Sequence, residues 1–231
     1  MIPTYRRVLI VGAGDGLSAS VARAFAGADL RVALAARNPA KLKPLATEIG
    51  ASTHRADAAA PADIDALFDA AAKALGGSPD VVLYNPSARL RGPLAELDRD
   101  AVARAIQVTA YGGFVTAQAA ARRMLPEKHG AILFTGASAS VKGYAGSAPF
   151  AMGKFALRGL AQSIARELQP QGIHVAHFVI DGAIRNPGVT EETPDSKLDP
   201  DAIARSYLNV LKQDRSAWSW EIELRPWVER F

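Results

Sequence analysis

The stretch Arg7-Val-Leu-Ile-Val11, followed directly by Gly12-Ala-Gly-Asp-Gly-Leu-Ser18, decides the fold. Val8 to Val11 are four apolar residues in a row, β-branched at three of the four, as in a strand buried on both faces. Three glycines then fall within five residues, and from Ser18 to Gly27 apolar residues return with helical spacing at Val21, Ala22, Ala24 and Phe25. Strand, glycine turn, helix is the unit that lets a backbone approach a pyrophosphate closely and aims a helix N-terminus at it. The common spacing, with glycines at the first, third and sixth positions, is not met, because the sixth position is Leu17. The spacing present is Gly12-x-x-x-Gly16-x-Ser18. An ordinary strand-to-helix turn also uses glycine for its positive φ, so the rest of the chain must discriminate.

Working outward, Leu30 to Ala35 reads as a second strand, and Asn38-Pro39 as an N-cap with proline at the first position of a helix reaching Ile49. A short polar strand over 52–56 leads to Asp57. A helix over 61–75, with Ile64, Leu67, Phe68 and Leu75 on one face, ends at Gly76-Gly77. Asp80 to Tyr84 is a fourth strand, stopped by Asn85-Pro86, and one long helical region covers 98–125. Residues 131–135 and 173–180 read as further strands on either side of a helix over 149–168. Asp199-Pro200 opens a last helix to about Lys212, and 220–224 alternates like a final strand. Strands alternating with helices in this way imply right-handed βαβ units. The expected fold is α/β, a single-domain doubly wound parallel sheet (Rossmann-like) of about seven strands with helices on both faces. It is one NAD(P)-binding domain over 1–231, with the loop 182–198 placed to line a substrate site.

Composition agrees. The 231 residues are 49% hydrophobic and 22% charged with a net charge of +4, and the basic residues are spread along the chain. That pattern argues against a nucleic-acid partner. There is no cysteine, which excludes disulfides and thiolate chemistry. No apolar run approaches the roughly 18 residues needed to span a membrane. A cytoplasmic protein acting on a small molecule is the expectation.

In such a sheet ligands sit beyond the carboxyl ends of the strands. An acidic residue about 20 positions past the glycines would hold a ribose 2′-hydroxyl and reject a 2′-phosphate. That place holds Ala36-Arg37, which favours NADP(H) over NAD(H) through a guanidinium–phosphate contact. Asp15, a carboxylate in the glycine turn, argues mildly the other way.

With these features the chain resembles the short-chain dehydrogenase/reductase family over nearly its whole length. Gly12-x-x-x-Gly16-x-Ser18 resembles that family's glycine loop, with serine in place of the last glycine. Asp57 is similar to its adenine-contacting aspartate, and Tyr84-Asn85-Pro86-Ser87 stands where the family has Asn-Asn-Ala-Gly. The resemblance, with the readings above, implies a cofactor site of Gly12, Gly14, Asp15, Gly16, Leu17, Arg37, Asp57, Asn85, Lys154 and Gly182. It also implies a homodimer or homotetramer.

The family's active site is a serine after the fifth strand, a tyrosine and a lysine four residues apart, and an asparagine on the preceding long helix. Here the lysine is Lys154, and the tyrosine position is Phe150, which has no ionisable group. The family's spacing from that tyrosine lands on Ala137, with Ser138 one place later. Thr109-Ala-Tyr-Gly112-Gly-Phe114 matches Asn-x-x-Gly-x-Phe, so Thr109 replaces the asparagine, and Asp181-Gly182 replaces a Pro-Gly. Losing a positioned general acid costs about 10²–10⁴-fold in rate. The resemblance therefore implies an oxidoreductase acting on a small carbonyl or alcohol with an altered relay: Lys154 on the nicotinamide ribose, and Ser138 or Tyr144 on the substrate oxygen. Tyr111, Ser140 and Asp181 are lesser candidates. A non-catalytic NADP(H)-binding sensor or scaffold of the same fold is the alternative, and a non-redox lyase or isomerase a third. His174-x-x-His177 on a strand sends its side chains to opposite faces, which makes no metal pair. Trp218, Trp220, Trp227 and Phe231 form an aromatic tail suited to a core or an oligomer interface.

Overall fold

A computed structural model of the chain describes residues 1–186, 189–190 and 193–229. Parts of the expected substrate loop (187–188 and 191–192) and Phe231 of the aromatic tail lie outside the described residues. The elements in order are β1 (Arg7–Val11), α1 (Leu17–Ala26), β2 (Arg31–Ala36), α2 (Lys43–Ile49), β3 (Ser52–Arg55), α3 (Pro61–Leu75), β4 (Val81–Tyr84), α4 (Arg99–Ile106), α5 (Gly112–Met124), β5 (Gly130–Thr135), α6 (Ala148–Leu168), β6 (Ile173–Ile180), α7 (Pro200–Leu211) and β7 (Glu221–Leu224). The strands form one seven-stranded sheet in the order β3-β2-β1-β4-β5-β6-β7. Every neighbouring pair is parallel. The doubly wound α/β architecture expected from the strand–helix alternation is the one observed.

Both faces of the sheet are covered, which is why its strands are continuously apolar. Alternate residues point to opposite faces. Val8, Ile10, Leu34 and Phe178 pack with Phe25 of α1 and with Ile203 and Tyr207 of α7. Leu9, Val11, Val82 and Phe134 pack with Phe68 of α3, Ala120 of α5 and Leu157 of α6. Phe25 and Phe68 are fully buried, and truncating either to alanine is expected to cost about 3–5 kcal/mol. All eight residues of β6 are buried, His174 and His177 included. As their spacing requires, the two histidines serve different neighbours: His174 stacks on Trp218 at 4.6 Å, while His177 Nδ1 lies 3.2 Å from Glu221 Oε2. Arg158 of α6 holds the same carboxylate with two hydrogen bonds of 2.7 and 2.8 Å, fixing the edge strand β7 to the body.

The long helical region over 98–125 is divided where periodicity alone reads continuity. Asp98 caps α4 by accepting from the Ala101 amide at 2.7 Å. Between α4 and α5, Gln107–Tyr111 widens into a single π turn. The Tyr84 hydroxyl donates to the Val108 carbonyl inside that turn. A side chain from β4 thus takes up a carbonyl within the widened turn. Among the described residues, no helix is long and apolar enough to cross a membrane.

Candidate active site

The order of the sheet reverses between β1 and β4, and the crevice beyond their carboxyl ends is where such folds place ligands. The glycine loop is built there. Gly12 adopts φ +77°, and a Cβ added to it would lie 2.6 Å from the Pro86 ring, so both conformation and space require glycine. Its carbonyl accepts from Asn85 Nδ2 at 2.9 Å. The Ser18 hydroxyl accepts from the Gly14 amide at 2.9 Å and donates to the Gly14 carbonyl at 3.1 Å. The serine that departs from the glycine pattern therefore braces the loop from within. Gly16 caps α1 from outside the helix.

A cavity of about 500 Å³ opens over this loop, lined by Gly12, Gly14, Asp15, Arg37, Lys41, Asp57 and Asn85 among others. It fits an adenosine phosphate. A Cβ on Gly14 would meet no atom within 4 Å, so the loop leaves its backbone bare. Arg37, at the end of β2, is joined by Lys41, one turn on, as a second cation. The Asp57 carboxylate accepts from the Ala59 amide at 3.0 Å, while its own amide donates to Asp63 at 2.9 Å, which sets it at the far wall. Lys41 went unread in the sequence; its signal was the four-residue spacing from Arg37 across the Asn38-Pro39 turn.

A second cavity, of about 820 Å³, adjoins the first and shares Asn85 and Ser87 with it. Leu17, Ser138, Tyr144, Phe150, Lys154 and Gly182 line it together. All three catalytic candidates thus meet in one space, with Phe150 beside them. Lys154 is 2% exposed, and its Nζ donates to the Thr135 carbonyl at 2.6 Å. Burial, aided by the Arg89 charge, lowers its pKa from 10.5 to about 7. Thr109 is buried and accepts from the Ala88 amide at 3.1 Å, tying the π turn to the segment that follows β4. Tyr144 is half exposed at the rim.

The lesser candidates have structural partners. Asp181 is 1% exposed; burial would raise its pKa, but hydrogen bonds from Lys142 and Ser138, with the charges of Lys142 and Arg225, hold it below the usual range. Ser140 is fully buried 3.4 Å from His177 Nε2, with no route to substrate. Burial takes His177 down to about 4 in spite of Glu221, so its imidazole is neutral. Tyr111 stacks on Phe114 on an exposed helix face. A third recess, of about 830 Å³, lies beyond the amino ends of β5 and β6 against Lys128, Gly172 and Arg215, away from all of these groups. No group of three or more His, Cys, Asp or Glu side chains suited to a metal ion occurs among the described residues.

Residues 6–197 match the family model described as short chain dehydrogenase. The chain belongs to the short-chain dehydrogenase family. It is thus an oxidoreductase of the short-chain type, as its order of motifs implied. A crystal structure of a short-chain dehydrogenase from Rhodopseudomonas palustris superposes with a TM-score of 0.83 at 35% identity, over 97% of this chain and 100% of that one. A metagenomic short-chain oxidoreductase solved in complex with NADP gives a TM-score of 0.84 at 25% identity, over 97% and 98% of the two chains. The cyclic-di-GMP-binding biofilm dispersal mediator protein of Escherichia coli is 35% identical over 178 residues, 74% of this chain and 70% of that protein. A nicotinamide cofactor is supported by this relationship and by the adenosine-sized cavity over the glycine loop.

Proposed function

We propose that this protein is an NADP(H)-dependent oxidoreductase interconverting a small carbonyl compound and its alcohol, with a proton relay that does not use a tyrosine at position 150. The observation that carries the reading is the continuity of the two cavities through Asn85 and Ser87, with Arg37 and Lys41 at one end and Lys154 at the other. Gly12, Gly14, Asp15, Gly16 and Leu17 pass the pyrophosphate along the start of α1. Asp57 and Asn85 flank the adenine side, and Arg37 with Lys41 takes the 2′-phosphate. Gly182, Ala183 and Ile184 flank the nicotinamide end. A nicotinamide held by these residues would supply or take up the hydride.

The chain's own residues handle the remaining proton. Reduction adds a hydride to carbon and a proton to oxygen, and Phe150 can supply neither. Lys154 orients the ribose hydroxyls from the buried side. Ser138, whose rotamer Asp181 fixes, polarises the substrate oxygen, and Tyr144 at the rim is the phenol within the same cavity. The setting is a cytoplasmic enzyme, working as a homodimer or homotetramer, for which the exposed apolar side chains Tyr111, Phe114, Met152 and Phe155 offer contact surface. Light scattering of the purified chain would refute that assembly if it returned a monomer.

A second reading, a non-catalytic NADP(H)-binding sensor or scaffold, is favoured by Phe150 itself and by the Escherichia coli relative, which is named for binding a nucleotide. Fluorescence titration with NADPH and NADH, followed by a carbonyl screen of the wild type beside Phe150→Tyr, separates the two. Absence of binding of either cofactor at millimolar concentration removes both readings. Turnover by the wild type supports the first. Activity confined to Phe150→Tyr, with a gain of about 10²-fold or more, supports the second.

A further inference from the structure

We infer that Arg89, seconded by Arg91, anchors an anionic group of the substrate, a carboxylate or a phosphate, in the cavity that also holds Lys154. The inference rests on reading that cavity as the substrate site. Both arginines line it, together with Lys154. None of the described residues lining it is an aspartate or glutamate. The carboxylate next to it, Asp181, is buried and already engaged by Lys142 at 2.9 Å and Arg225 at 3.3 Å. Neither Arg89 nor Arg91 has an ion-pair partner among the described residues. A cavity with two guanidinium groups that no described carboxylate pairs, and no acid among the described residues lining it, selects an oxyanion.

The arginines are also held in place. The segment carrying them is pinned on one side of Arg89 by the Ala88 amide on Thr109 Oγ1 at 3.1 Å. It is pinned beyond Arg91 by the Gly92 amide on the Gly146 carbonyl at 3.0 Å. The Arg89 guanidinium carbon lies 5.1 Å from the centroid of the Phe150 ring. Phe150 thereby acquires a positive use, as the flat face on which a cation rests. Stacking leaves the edge donors of the guanidinium open to a planar carboxylate or to two phosphate oxygens. Arg89 is a specificity-determining residue in this account, and Phe150 positions it.

Two matched pairs test it by isothermal titration calorimetry, with and without saturating NADP⁺: acetoacetate against methyl acetoacetate, and dihydroxyacetone phosphate against dihydroxyacetone. The charged member of one pair is expected to bind about 10- to 100-fold more tightly, the pair showing which source of the oxyanion fits. Arg89→Ala should erase the preference, Arg91→Ala should reduce it, and Arg89→Lys should keep part of it. Equal affinities within both pairs, or no binding of any of the four at ~10 mM, overturn the inference. So does a preference that survives Arg89→Ala, or an Arg89→Ala whose loss is confined to NADPH affinity. Failure of the oxidoreductase reading shows separately, as absence of NADPH binding or turnover, while the titrations without cofactor still decide the arginines.

Discussion

Replacing Lys154 by methionine should make the cofactor-free protein more stable near neutral pH, in a way that fades as the pH rises. Its ammonium is buried against one carbonyl, and its pKa falls from 10.5 to about 7 through burial and, secondarily, the Arg89 charge. Below the folded-state value both folded and unfolded chains carry the proton, and the fold bears the whole penalty. Between about 7 and 10.5 the unfolded chain binds more protons than the folded one, so wild-type stability rises with pH. At ~1.36 kcal/mol per pK unit, the penalty is on the order of 4–5 kcal/mol at roughly pH 6.5 and about 1 kcal/mol at roughly pH 9.5. Lys154→Met removes it at the cost of leaving the Thr135 carbonyl unpaired, on the order of 1–3 kcal/mol at any pH. The variant should therefore be about 2 kcal/mol more stable than wild type at roughly pH 6.5 and near parity at roughly pH 9.5. Urea denaturation of both proteins at each pH measures the difference, and histidine titrations shared by the two cancel. Curves that run parallel, with no change in the gap approaching 3 kcal/mol, would refute the claim that this lysine is buried at an energetic cost.

The remaining expectations concern the glycine loop and the phosphate cations. Arg37→Ala should weaken NADPH by about 10- to 100-fold and leave NADH nearly unchanged, measured by fluorescence titration; an equal loss for both would place Arg37 away from the 2′-phosphate. Gly12→Ala should destabilise the apo fold by on the order of 3 kcal/mol, because it meets both a positive φ and the Pro86 ring. Gly14→Ala, whose Cβ has no neighbour within 4 Å, should leave stability within about 0.5 kcal/mol while impairing cofactor binding. A Gly12→Ala protein as stable as wild type in the same denaturation assay would contradict the packing described.

The apolar runs at Val8–Val11 and 173–180 were enough to place the buried strands, because a sheet covered on both faces permits little else. Glycine and proline punctuation placed most helix ends within a residue or two. The π turn at Gln107–Tyr111 was not legible, since it involves a hydroxyl from Tyr84 that only the folded chain brings near. At the site, order and spacing put Arg37, Asp57 and Phe150 near the carboxyl ends of the strands, and each lines one of the two cavities. Arg89 and Arg91 could not be read in this way, because an arginine in a loop reads as a solvated cation until the walls around it are known. Ser18 read as a departure from a pattern, whereas its hydroxyl closes the very loop the pattern describes.

The contact between Gly12 and the Asn85-Pro86 turn joins the two cavities mechanically. One end of that turn packs under the cofactor loop, and the chain leaving its other end carries Arg89 and Arg91. A Cβ at position 12 would meet the Pro86 ring at 2.6 Å, so any side chain there would press on the very turn that leads to the arginines.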